Sequence, residues 1–143
     1  MTLKAILKGK PAGFISVLPT ASVREVIAIL AAKRIGAVLV VDTENRLVGI
    51  LSERDIVRSL ASAAAGTLEM TAHQLMTAHP VTATPNTTVG EAMETMTEGH
   101  FRHLPILEAG RLTGLVSIGD VVKARIDQSQ QEVDSLRTYV VGG

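Results

Sequence analysis

A motif of glycine, serine and aspartate at fixed spacing occurs twice in the chain, as Gly49-Ile-Leu-Ser52-Glu-Arg-Asp55 and Gly114-Leu-Val-Ser117-Ile-Gly-Asp120. The glycine allows a strand end to approach a ligand without an intervening Cβ. The serine stands where a helix is expected to begin, so its hydroxyl and unpaired N–H groups form a natural phosphate site. The aspartate carboxylate can accept two hydrogen bonds from a ribose diol. The motif therefore indicates two sites for a ligand that carries a phosphate and a ribose.

The same spacing also fits a purely structural role. A serine followed three residues later by an acid is close to a capping box, in which each side chain accepts a hydrogen bond from the other residue's backbone N–H. Both motifs could therefore start their helices without binding any ligand. The two interpretations are compatible, because a side chain that caps a helix can also contact a ligand.

The motifs belong to a longer internal repeat. The motif glycines stand 65 residues apart, and Val23-x-x-Val26-Ile27 matches Val89-x-x-Ala92-Met93 at an offset of 66. Similarity at a fixed period indicates two copies of one structural unit. Because a unit of about 65 residues is marginal alone, we expect the two to pair closely. The predicted division is 1–68 for the first unit, 69–128 for the second unit and 129–143 for a C-terminal tail or helix.

Composition limits the classes of function. The chain of 143 residues has 14 basic and 14 acidic side chains, no cysteine and 46% hydrophobic residues. A neutral chain lacks the concentrated positive field that nucleic acids and acidic membranes require, so we expect neither as a partner. The absence of cysteine excludes disulfides and thiolate chemistry. Because no apolar run approaches the roughly 18 residues of a membrane span and the charged N-terminus does not fit a signal peptide, we expect a soluble cytoplasmic protein.

Hydrophobic periodicity and turn residues predict a strand, helix, strand, strand, helix order in each unit, with the motif between the last strand and the last helix. The predicted strands are 14–18, 37–41, 46–51, 81–84, 103–107 and 111–116; the predicted helices are 2–8, 23–34, 53–65, 73–76, 88–98 and 118–128; and 8–13 is a predicted loop. Ser22 and either Thr87 or Thr88 are predicted to cap the starts of the two helices that precede the hairpins. Gly36 and Gly99 are predicted to end these helices, Gly36 as a left-handed cap. In the tail, Val133, Leu136 and Val140 stand at helical spacing and could pack on the body or on a partner.

The order of these features resembles the cystathionine-β-synthase (CBS) domain pair. Both units end in L-x-G-[IL]-[LV]-S-x-x-D-[IV]-V, and Leu75-Met76, Val81–Pro85 and Gly99–Pro105 follow the family's order. The resemblance covers about residues 5–128. It implies an α/β (α+β) fold in which two pseudo-symmetric β-α-β-β-α units pack as one pair. It also implies adenosine ligands such as AMP, ADP, ATP, NAD or S-adenosylmethionine in two clefts, and a disc-like homodimer.

The resemblance also implies which residues line the clefts. It places a phosphate on each motif serine and a ribose on each motif aspartate. The second cleft is predicted to contain Thr82, Ala83, Arg102, His103, Pro105, Ser117 and Asp120, and the first cleft Ser16, Ala37, Ser52, Arg54 and Asp55. We expect the second cleft to bind better, because the first unit has Gly36 and Ala37 in place of Arg102 and His103. Arg54 is expected to reach phosphates from the first motif.

Two functions of different class follow from these features. The first is a regulatory, ligand-sensing module, in which an adenine nucleotide changes a homodimer and thereby an unknown partner protein. Apolar rows on the helices after the motifs would form its dimer surface: Ile56, Val57, Leu60, Val121, Val122 and Ile126. The second is a constitutive interaction scaffold whose clefts are empty.

A catalytic function is not expected. No nucleophile and base can be paired in the sequence, and no Walker-type lysine loop occurs. His100 and His103 stand three residues apart, but the sequence indicates no third ligand for a metal ion. We therefore predict that the chain is not an enzyme, needs no cofactor and holds no metal.

Overall fold

Helices and short strands alternate along residues 1–10 and 13–142, the ranges that this computed structural model describes. The strands are β1 (Ser16–Val17), β2 (Ala37–Val41), β3 (Leu47–Ser52), β4 (Thr77–Ala78), β5 (His103–Glu108) and β6 (Arg111–Ser117), and the helices are α1 (Leu3–Lys8), α2 (Val23–Lys33), α3 (Glu53–Ala63), α4 (Ala72–Leu75), α5 (Val89–Gly99) and α6 (Ile118–Gly142), with a 3₁₀ helix at Ala64–Glu69. The predicted α/β (α+β) class is confirmed. Of the predicted loop, residues 11 and 12 lie outside the described residues, as does residue 143 of the predicted tail.

One compact unit, here called the first-motif unit, consists of residues 13–81 with 109–113. Its sheet has the order β1-β2-β3-β4, in which β1 and β2 are parallel and the other pairs antiparallel. Every residue of β2 is buried, as its continuous apolar sequence predicts. Its core is aliphatic: Val17, Val23, Val26, Leu30, Val38, Val40, Leu51, Ile56 and Ala72.

The other compact unit, the second-motif unit, contains the described residues of 1–12, 82–108 and 114–143. Strands β5 and β6 form its two-stranded sheet. Its core is Leu3, Ala83, Val89, Ala92, Met96, Leu104, Ile106, Val116, Val121 and Ala124. Helix α1 thus contributes a fully buried side chain, Leu3, to the unit of the second motif. The boundaries 1–68, 69–128 and 129–143 describe the sequence repeat and stay a prediction. The packing of α1 does not follow them, because α1 belongs to the predicted first unit but packs in the second-motif unit.

The predicted strand at 81–84 is wrong. Ala83 alone forms a parallel bridge with Ile106, through its N–H to Pro105 O at 3.0 Å and its carbonyl to Leu107 N at 2.8 Å. The next backbone donor in this register would be residue 85, and Pro85 has no N–H to extend the ladder. The preceding segment instead supplies β4, which pairs with β3.

The N-terminal caps of α2 and α5 agree with the predictions, and α5 ends at Gly99 as predicted, whereas α2 ends at Lys33 rather than at Gly36. Ser22 and Thr88 accept hydrogen bonds from the backbone of residues three positions on, at 3.1 and 3.0 Å. The left-handed caps are Arg34 (φ 54°) and His100 (φ 56°), and neither Gly36 nor Gly99. A side chain in this left-handed region costs about 1 kcal/mol relative to glycine, and each of the two caps donates its backbone N–H to a carbonyl of its own helix, Leu30 O and Met96 O.

Helix α6 runs without interruption to Gly142, so its predicted end near residue 128 is wrong. The reason is visible in the sequence, because residues 121–141 contain neither glycine nor proline.

Two residues of the predicted dimer surface are not exposed. Ile56 and Val121 are buried in their units, at 4% and 0% exposure. Within the described ranges, no helix combines the length and apolar character needed to cross a membrane.

Candidate functional site

The second motif forms a reciprocal cap at the start of α6. Ser117 ends β6, and its Oγ accepts a hydrogen bond from Asp120 N at 3.1 Å. In return, Asp120 Oδ2 accepts one from Ser117 N at 2.9 Å. The capping interpretation of the motif is therefore confirmed here. Both side chains stay partly exposed, so they remain accessible to a ligand.

A lysine from the N-terminal segment reaches the same carboxylate. Lys10 Nζ donates to Asp120 Oδ2 at 2.7 Å and to the carbonyl oxygen of Leu115 at 2.9 Å. The lysine and aspartate side chains are 36% and 27% exposed. The ammonium group therefore stands beside the N-terminus of a long helix, and both favour an anion.

The environment of Asp120 lowers the pKa of its carboxyl group. Burial acts most strongly and raises this pKa, but the hydrogen bonds from Lys10 and from the Ser117 backbone, with the charge of Lys10, outweigh burial. The carboxylate is therefore ionised at neutral pH. An ionised carboxylate is the form that accepts hydrogen bonds from a ribose diol.

The first motif repeats the cap, but among the described residues no lysine or arginine forms an ion pair with Asp55. Ser52 Oγ accepts from Asp55 N at 3.3 Å, and Asp55 Oδ2 accepts from Ser52 N at 2.9 Å and from Ser52 Oγ at 3.0 Å. Ala37, fully enclosed in β2, pairs directly with Ser52 across the hairpin. Arg54 is exposed on α3. Its predicted contact with phosphates stays a prediction.

The motif glycines make room for protein side chains, which corrects the expected role in ligand approach. A Cβ on Gly114 would lie 2.7 Å from Leu7 Cδ2. A Cβ on Gly49 would lie 2.9 Å from the carbonyl oxygen of Thr77 and would overlap Met76 Sδ. Helix α1 therefore occupies the space beside Gly114, and the segment between α4 and β4 occupies the space beside Gly49.

The other residues predicted for the second cleft surround the start of α6 to different degrees. The carbonyl oxygen of Arg102 accepts a hydrogen bond from Ile118 N at 2.7 Å, so Arg102 adjoins the motif, with an exposed side chain. Ala83 and Pro105 are backbone neighbours and are buried. Thr82 is exposed beside Ala83, and His103 begins β5 and is partly buried.

The first cleft uses the same backbone contacts at corresponding positions. The carbonyl oxygen of Gly36 accepts from Glu53 N at 2.9 Å, as Arg102 does in the other unit. Ser16 lies in β1, paired with Leu39 of β2. The two units therefore offer similar backbone frames with different side chains.

Lys10, Leu7 and Met76 are site residues that the sequence reasoning missed. A signal for two of them exists, because Thr2-Leu3-x-x-Ile6-Leu7 matches Thr71-Ala72-x-x-Leu75-Met76 at an offset of 69. The structure supports this match, since Thr2 bridges Thr88 while Thr71 bridges Ser22, each at the cap of a corresponding helix. The match pairs Lys10 with His79, so the lysine itself has no signal in the repeat.

In the part of the chain that the structure describes, no three histidine or acidic side chains are grouped as metal ligands. His100 caps the C-terminus of α5, and His103 lies in β5.

Comparison with known proteins gives consistent matches to one family. The CBS domain family matches residues 11–62 and 72–127. The chain is 34% identical to the mitochondrial CBS domain-containing protein CBSX3 of Arabidopsis thaliana, over 76% of this chain and 55% of that protein, so it spans about half of that relative. A CBS-domain containing protein from Agrobacterium tumefaciens is 42% identical, with a TM-score of 0.85 over 87% of this chain and 99% of that chain.

Two further solved structures contain adenosine compounds. A CBS domain protein from Pyrobaculum aerophilum, in complex with AMP, is 30% identical, with a TM-score of 0.75 over 84% of this chain and 89% of that chain. A CBS domain pair solved with 5′-methylthioadenosine and S-adenosylmethionine is 26% identical, with a TM-score of 0.78 over 90% of this chain and 98% of that chain.

Proposed function

Because the chain belongs to the CBS domain family, we propose that it is a regulatory module that binds an adenine nucleotide and acts on a partner protein through a homodimer. The adenosine compounds in two related structures support the ligand class. AMP, ADP, ATP and NAD are the proposed ligands. The chain acts by binding, with no catalytic step of its own and no required cofactor.

The observation that carries this proposal is the group formed by Lys10, Ser117 and Asp120 at the start of α6. It combines an ammonium group, a hydroxyl and backbone N–H groups for phosphate with an ionised carboxylate for ribose. In the proposed complex, the 5′-phosphate binds near Ser117 and the ribose diol binds Asp120. Thr82, Ala83, Arg102, His103 and Pro105 are the proposed contacts of base and phosphate.

Lys10 has two roles in the proposed complex. Its ammonium group pairs with the Asp120 carboxylate at 2.7 Å. When a ribose takes hydrogen-bond sites on this carboxylate, the ammonium group turns toward the phosphate, which has greater charge. The second site therefore binds nucleotides better than the first site, whose proposed contacts are Ser16, Ala37, Ser52, Arg54 and Asp55.

Regulation requires that the ligand bind two arrangements of the dimer with different affinity. The exposed apolar residues Val57 and Leu60 on α3, with Val122 and Ile126 on α6, are the proposed dimer surface. The cytoplasm is the proposed location. A constitutive scaffold is the second candidate, and the engagement of both motif aspartates in caps favours it.

A thermal-shift panel with AMP, ADP, ATP, NAD and S-adenosylmethionine tests the proposal. A ligand at about 100 times its dissociation constant stabilises the fold by ~2.7 kcal/mol, which corresponds to a rise of roughly 5–10 °C in Tm. We expect such a rise with at least one adenine nucleotide. Nucleotide-free protein that shows no rise with any compound would favour the scaffold.

A further inference from the structure

The last part of α6, most of which lies beyond the residues that the family matches, presents apolar side chains to solvent. The match ends at residue 127, and the helix continues to Gly142. Ile126, Val133, Leu136 and Val140 are 62%, 43%, 64% and 75% exposed, and we call these four residues the seam. Their spacing of seven, three and four residues places them on one side of the helix.

The seam follows a heptad pattern. With Ile126 at position a, Val133 and Val140 also fall at a, and Leu136 falls at d. β-branched residues at a with leucine at d favour a parallel, two-stranded coiled coil. Ser129 takes the remaining d position, so the apolar contact is strongest in the second heptad.

The charged residues that flank the seam are complementary in the same arrangement. Glu132 falls at position g and Arg137 at the following position e. In a parallel pair, position g of one helix faces the next e of the other helix, so glutamate meets arginine. Two-fold symmetry makes this ion pair twice. Both side chains are exposed, and neither forms an ion pair among the residues that the structure describes.

The opposite side of α6 is already used by the protein's own core. Val121 and Ala124, at positions c and f, are 0% and 9% exposed. The seam therefore points away from the body of its own unit. A membrane surface is a poor alternative, because Glu132, Asp134 and Arg137 give residues 128–142 more acid than base, whereas anionic lipids attract basic residues.

We propose that the seam binds a second copy of this chain as a short parallel coiled coil, with Glu132 of each copy against Arg137 of the other. A free helix of this length would be marginal in water, but packing of the first turns of α6 on the body provides the nucleus. This contact involves none of the proposed ligand-binding residues, and it shares only Ile126 with the proposed dimer surface.

Disulfide crosslinking tests the contact and its direction, because the chain has no cysteine. In a parallel pair the two copies of residue 136 face each other within the Cα separation that a disulfide allows. Under mild oxidation of the full chain, we expect Leu136→Cys to crosslink at least about tenfold faster than Val141→Cys, whose side chain at position b is more exposed, at 87%. Equal rates, or a monomeric wild-type chain at about 100 µM in sedimentation, would overturn the proposal.

Charge reversal in the Leu136→Cys background tests the register. Glu132→Arg turns both ion pairs into like-charge pairs, so we expect crosslinking to slow by about tenfold. Adding Arg137→Glu restores opposite charges and should restore the rate. Asp127→Arg makes the same type of charge change at position b and should leave the rate within about twofold. Failure of the double reversal to rescue the rate would overturn the proposed register.

Discussion

The Ser117–Asp120 site and the Ser52–Asp55 site share one backbone arrangement and differ in charge. In both, the aspartate accepts the serine N–H at 2.9 Å, and the residue after the serine donates to a carbonyl before the hairpin. Lys10 adds an ammonium group at Asp120. At the matching position of the other unit, His79 instead donates its backbone N–H to Val48 O at 3.5 Å.

This difference shows what duplication of the motif preserves. The cap depends on atoms within four residues of each other, so any copy of the motif reproduces it. The cation beside the carboxylate comes from a residue outside the motif, Lys10 in the second-motif unit. A change of that residue does not remove the hydrogen bonds of the cap. The electrostatic character of each site is therefore set by the segment that packs beside the motif.

The largest expected difference between the two sites concerns the glycines. Gly49→Ala should cost about 3 kcal/mol of unfolding free energy, because the new Cβ meets the Thr77 backbone oxygen at 2.9 Å and the β3–β4 pairing must shift. Gly114→Ala should cost about 1 kcal/mol, because the end of the flexible Leu7 side chain can move. Urea denaturation of both variants measures the two costs, and a larger cost at Gly114 would contradict the comparison.

The next effect concerns nucleotide affinity. Asp120→Asn should raise the Kd for AMP about 30-fold, since a hydrogen bond to a charged group contributes about 2 kcal/mol. Asparagine can still accept the serine N–H, so the helix cap is kept. Asp55→Asn is the matched control, with an expected change of at most about threefold in calorimetric titration. Loss of binding in Asp55→Asn with unchanged binding in Asp120→Asn would reverse the ranking of the two sites.

The smallest effect concerns the ion pair at Asp120. Lys10→Met keeps most of the side chain but removes the charge, and it should cost about 0.5 kcal/mol at pH 7, since the pair is partly exposed. The folded state lowers the pKa of Asp120. The stabilisation by the Lys10–Asp120 pair is therefore complete above the pKa of about 3.9 that Asp120 has in the unfolded chain. It is lost as the pH falls through the lower pKa that Asp120 has in the folded protein.

Urea denaturation between pH 7 and pH 3 measures this dependence. The difference between the wild type and Lys10→Met should shrink below about pH 4. Lys4→Met, at an exposed position of α1, is the control and should show no such dependence. A difference that stays constant down to pH 3 would show that Lys10 acts through packing rather than through the charge of Asp120.

Features that depend on neighbouring residues were accessible from the sequence. The capping boxes, the N-terminal caps Ser22 and Thr88 and the β2–β3 hairpin were all predicted. The predicted left-handed cap at Gly36 is wrong, because Arg34, two residues earlier, takes the positive φ at the end of α2. The Lys10–Asp120 contact was not predictable, since it joins residues 110 positions apart.

The sequence by itself determined the repeat, the α+β class, the family and the caps, because hydrogen bonds and apolar periodicity within a few residues encode them. The tertiary structure alone decided that α1 packs with the second motif, that Lys10 reaches Asp120 and that the end of α6 exposes its apolar side. These features depend on which surfaces bury each other between distant segments. That choice is made by burial of apolar area over a whole unit, so the residues next to each segment do not determine it.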